Sequence, residues 1–130
     1  MSLEKDYFNT IKWSLNVGVN PGYSLSDQKS IKEDDFARSC ITAADTVERE
    51  TGVYISCVIS PSRAVYKKEW GCPEIGEFSY TVYGTYNPAF SGKEEYISAL
   101  EQFATELKKI YGQNAVWIEI SPAHLIYLKD

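Results

Sequence analysis

The chain has 130 residues, 44% of them hydrophobic, with 18 acidic against 13 basic residues and a net charge of −5. This length suits one domain able to bury about two thirds of its unfolded surface, and an acidic balance without any Lys/Arg cluster excludes a nucleic-acid surface. Three cysteines without CxxC spacing, a single histidine and the lack of any long apolar run exclude an ordinary zinc site and a membrane-spanning helix, so a cytoplasmic protein with reduced thiols, no metal and no cofactor is expected.

The first predicted element is the strand "IKWSLNVGVN". Ile11, Trp13, Leu15, Val17 and Val19 share one of its faces, Lys12, Ser14 and Asn16 the other. The following loop "NPGYSLSDQKS" lacks the basic residues or repeated glycines of a phosphate cradle, and no anion site is expected there. "SIKEDDFARSCITAADTVERETG" reads as an amphipathic helix. Ser30 and Glu33 form a capping box, Phe36, Cys40, Ile41, Ala44 and Val47 form the stripe, and Gly52 ends it. "VYISCVISP" is a second strand, with Val53, Ile55, Cys57 and Ile59 inward and Tyr54, Ser56 and Val58 outward. A loop-rich connection over residues 62–76 carries Cys72, flanked by two glutamates that disfavour a reactive thiolate, and this cysteine is read as structural.

The third strand, "FSYTVYGTY", sets Phe78, Tyr80, Val82, Gly84 and Tyr86 against the core, with the Tyr80 and Tyr86 hydroxyls seeking partners, and Ser79, Thr81, Tyr83 and Thr85 outward. "SGKEEYISALEQFATELKKIYG" repeats the helix design. Its box is Ser91 and Glu94, its stripe Ile97, Leu100, Phe103, Ala104, Leu107 and Ile110, and Gly112 its stop. The last strand places Val116, Ile118 and Ile120 inward and Trp117, Glu119 and Ser121 outward. The tail "HLIYL", apolar after His124, is expected to pack as an added strand or against a neighbouring subunit.

The two halves, 8–61 and 77–128, echo each other: strand, Asn-Pro turn, capped helix, glycine stop, and a strand ending in Ile-Ser-Pro, with spacings that agree to within one residue. This order predicts a single α+β domain over residues 1–130, a ferredoxin-like two-layer βαββαβ sandwich with an internal pseudo-twofold repeat. Its antiparallel sheet has four strands in the order 4-1-3-2, with both helices on one face. Pro61 and Pro122 then fall at the ends of edge strands, where a missing N–H is tolerated.

No phosphate loop, dinucleotide fingerprint, nucleophile elbow or metalloprotease motif is present. The open face of the sheet is therefore the place for function. Tyr54 and Trp117, equivalent in the two repeats, bracket a polar centre of Asn16, Thr81 and Tyr83, and these five residues are the predicted interface or binding set. Aromatics of this kind favour a covered face, and a second copy of the chain, forming a homodimer, is the expected cover, with a small ligand as the other occupant. The leading reading is a binding or oligomerisation module rather than an enzyme. Two others stand beside it: a cofactor-independent enzyme of isomerase or monooxygenase type using Glu119, Tyr83, Lys12 or His124 over the sheet, and a structural subunit of a mobile-element or phage assembly. The enzyme reading requires that Glu119, Tyr83 and Lys12 converge in one cavity. An RNA-recognition module shares the element order but presents aromatics on both central strands, and here only Tyr83 does so.

Overall fold

The computed structural model describes residues 4–21 and 28–130; most of the "NPGYSLSDQKS" loop, where no anion site is expected, lies outside the described residues. In chain order the elements are β1 (Glu4–Gly18), α1 (Glu33–Thr51), β2 (Val58–Ala64), a 3-10 turn (Lys68–Trp70), β3 (Glu77–Thr85), α2 (Lys93–Ile110) and β4 (Ile118–Lys129). The sheet runs β2-β3-β1-β4 with every pair antiparallel, and both helices cover one face. This is the ferredoxin-like βαββαβ sandwich that the repeat predicts.

The core forms where the alternating rows meet the helices. Ile11, Trp13, Leu15, Val17, Tyr80 and Val82 of the central strands, with Tyr86 just beyond β3, pack against Phe36, Cys40, Ala44 and Val47 of α1 and Leu100, Phe103, Ala104 and Leu107 of α2. Phe36 stacks on Tyr80 at 4.2 Å between ring centroids, and Trp13 meets Phe103 edge-on at 6.3 Å. The buried polar tips all find partners. Tyr80 donates to the Ile31 carbonyl (2.8 Å), Tyr86 to the Ser91 carbonyl (2.6 Å), and Trp13 Nε1 to the Tyr96 hydroxyl (2.8 Å).

Several boundaries differ from the sequence reading. Neither capping box forms: α1 is capped by Lys32 and α2 by Gly92, both without a side-chain cap. Ile41 and Ile110 are 53% and 44% exposed, and Ala43, Tyr96 and Ala99 take buried places instead. Pro61 and Pro122 lie inside β2 and β4, paired with Tyr80 and Ile11, rather than at strand ends. The edge position still explains them, because the outer side of an edge strand needs no N–H. "HLIYL" is no added strand; it continues β4, pairing His124–Leu128 with Asn9–Lys5 at the start of β1.

Candidate active site on the open sheet face

Strand register fixes what shares the uncovered face. Ser14 of β1 is opposite Tyr83 on one side and Glu119 on the other, while Lys12 is opposite Thr85 and Ser121. Tyr83 and Glu119 are therefore two strand spacings apart, about 10 Å between backbones, with Lys12 one pleat repeat along the middle strand. All three line one hollow of about 740 Å3, walled further by Ser14, Val58 and Ser121. Convergence in one cavity is thus met. Neither Lys12 nor Glu119 makes an ion pair among the described residues, so both charges are available to a ligand.

An adjoining hollow of about 520 Å3 shares Ser14 and Glu119 and adds Asn16, Thr81 and Trp117. Its floor is a hydroxyl-amide network: Asn16 Nδ2 donates to Ser62 Oγ (2.9 Å) and Ser79 Oγ (3.1 Å), and Thr81 Oγ1 donates to Ser62 Oγ (3.1 Å). Asn16 and Thr81 are occupied in holding the floor together. Trp117 is 85% exposed at its rim.

Two predicted residues leave the site. Tyr54 precedes β2 instead of belonging to it and lines hollows beside α1 with Cys40, Cys57 and Glu48; burial, with Asp45, Cys57 and Glu48 adding negative charge, pushes its hydroxyl pKa up. The symmetric pairing of Tyr54 with Trp117 fails because the β2 ladder starts only at Val58. His124 pairs with Asn9, and Glu119 lies an odd number of residues away along the same strand. The two side chains stand on opposite faces, so Glu119 cannot orient His124.

The sequence reading missed the far end of the same face. Gly18, continuing the Lys12, Ser14, Asn16 row, sits where a Cβ would collide with the Glu77 Oε1 and Gln113 Oε1 atoms. Glu77 accepts a bond from the Tyr66 hydroxyl through its other oxygen (3.0 Å), and Gln113 donates its Nε2 to the Asn20 carbonyl (2.7 Å). Two acceptor oxygens thus converge over bare backbone. The available signal was a glycine inside a strand, which marks a close approach.

Fold and site together describe a small α+β sandwich with a charged and aromatic open sheet face. The SAM lyase family model matches residues 8–129, and the chain belongs to that family. Among solved structures it is similar to a phage SAM lyase in complex with S-methyl-5'-thioadenosine (TM-score 0.63, 18% identity, covering 92% of this chain and 88% of that one). It is also similar to a phage SAM lyase in the apo state (TM-score 0.61, 16% identity, 93% and 89%). No curated protein matches significantly. The family match overturns the leading expectation of a non-enzymatic binding module and favours the enzyme reading, though with lyase in place of isomerase or monooxygenase.

Proposed function

We propose that the chain cleaves S-adenosylmethionine on this sheet face, releasing S-methyl-5'-thioadenosine without taking up water. The observation that carries the reading is the family match over residues 8–129, and the relative solved with S-methyl-5'-thioadenosine supports the same leaving group. The bond that breaks joins the sulfonium sulfur to the methionine-derived γ-carbon. Its electron pair stays on sulfur, which departs as a neutral thioether and needs no proton. In a lyase the vacated carbon is filled from within the fragment: by its own carboxylate, closing a lactone, or by the electron pair of an adjacent C–H bond whose proton passes to a base.

The face offers groups for each part of such a substrate. Lys12 and Glu119, opposite charges in one hollow, suit the carboxylate and ammonium of the amino-acid moiety, and the Tyr83 ring suits a sulfonium cation. Glu77 and Gln113 at the other end supply acceptors for nucleoside donors. Positive charge disappears from sulfur as the bond breaks, so water stabilises the ground state more than the transition state. A second copy of the chain over Trp117, Val58 and Tyr83, each apolar and exposed, would exclude that water.

Mass spectrometry of the first products tests the reading. Loss of S-adenosylmethionine should be matched by S-methyl-5'-thioadenosine and by a four-carbon amino-acid product lighter than homoserine by one water. Homoserine as the first product would establish a hydrolase, and no thioether product at all would remove the reading.

A further inference from the structure

At the edge of the site, α1 and the segment leading into β2 bring two of the three free cysteines together. Cys40 lies on the buried face of α1, Cys57 immediately precedes β2, and both line a hollow of about 300 Å3 with Ala37, Ile41, Tyr54 and Ile59. The two side chains thus share one space between α1 and the sheet. Interaction with the neighbouring thiol, together with burial, pushes the Cys40 thiol up, and the same interaction pulls Cys57 down against the opposing effect of burial. The third thiol is differently placed: Cys72 is buried in the β2–β3 connection, where its Sγ accepts a bond from the Tyr66 backbone N–H (3.4 Å).

We propose that Cys40 and Cys57 form a dithiol modification site for hydrogen peroxide, closing to a disulfide that ties α1 to the start of β2. The Cys57 thiolate attacks one peroxide oxygen, the O–O bond breaks, and the departing oxygen leaves as water after taking a proton, with Cys57 now a sulfenic acid. The Cys40 sulfur then attacks Cys57 sulfur, and the S–O bond breaks as hydroxide takes the Cys40 proton and leaves as a second water. The two sulfurs lose two electrons in total, and peroxide gains them. Nothing in the lyase reading uses either sulfur, so the site stands independently of it. Cys57 also lines the larger hollow on the open face, which makes the bridge a fixture of that wall.

The test uses the full chain treated with hydrogen peroxide, then denatured and alkylated. The number of alkylatable thiols should fall from the three free cysteines to Cys72 alone, with a mass loss of about 2 Da reversed by dithiothreitol, and peptide mapping should join Cys40 to Cys57. In Cys40→Ser, dimedone should label Cys57 in preference to Cys72. Persistence of all three thiols under excess peroxide, oxidation of Cys57 to sulfinic acid without a bridge in the wild-type chain, or a bridge through Cys72 would each overturn the proposal.

Discussion

Two glycines on the central strands show how a single hydrogen atom in place of a side chain serves different ends. At Gly84 an added Cβ would lie 2.8 Å from the Trp13 ring and 3.0 Å from the Ser56 carbonyl oxygen. Neither can yield easily, since Trp13 is locked by Phe103 and by its bond to Tyr96. Gly84→Ala should therefore cost about 1–3 kcal/mol and lower the melting temperature by several degrees. At Gly18 the obstructing atoms are the ends of two long side chains, Glu77 and Gln113, which can swing away at little cost. Gly18→Ala is expected to melt within a few degrees of wild type while raising KM for S-adenosylmethionine at least tenfold. An unchanged KM would take Glu77 and Gln113 out of substrate binding. These contrasting outcomes depend on what stands across the strand, and the local "VGV" and "YGT" sequences do not reveal it.

At the scale of elements, the predicted helices and strands all exist, but their ends were set by neighbours. Ser30 and Ser91 have the residues of capping boxes, yet α1 and α2 begin after Lys32 and Gly92, because the docking of each helix on the sheet sets where its first turn can start. The β1–β4 ladder is the longest departure. It runs from Leu15↔Ile118 out to Glu4↔Lys129, well beyond the helices, and leaves Tyr7, Ile126 and Leu128 exposed on one side. Both rows of "HLIYL" looked buried because its alternation is apolar throughout; strand pairing alone accommodates it. Removing residues 124–130 should lower the thermal midpoint and abolish slow amide exchange across residues 5–9. Retained protection there would mean the start of β1 is held by something other than β4.

For the whole molecule, the uncovered face remains the central feature: a hollow carrying Lys12, Tyr83 and Glu119 with a Trp117 rim. Trp117→Lys points a charge away from the helices, so the circular dichroism should be unchanged. If a second copy covers the face, the substitution should shift sedimentation to the monomer and lower kcat by at least tenfold through readmitted water. Wild-type protein that sediments as a monomer at micromolar concentration would leave the face to the substrate alone. Charge gave little help in locating the proposed function, since S-adenosylmethionine is a small zwitterion with an added sulfonium, which one Lys and one Glu would suffice to bracket.

The sequence by itself determined the architecture. Period-two rows and helical stripes, repeated in the same order in both halves, leave few ways to bury Trp13, Tyr80, Phe36 and Phe103 together, and the βαββαβ sandwich is the one that places both prolines on edges. It also placed Lys12, Tyr83 and Glu119 on one face, because alternation along a strand is a local property. The tertiary structure alone decided that these three share one hollow, that Tyr54 and His124 stand outside it, and that Glu77 and Gln113 meet over Gly18. Register, strand boundaries and the path of a long side chain between distant segments are settled by packing across the sheet, and no local pattern encodes them.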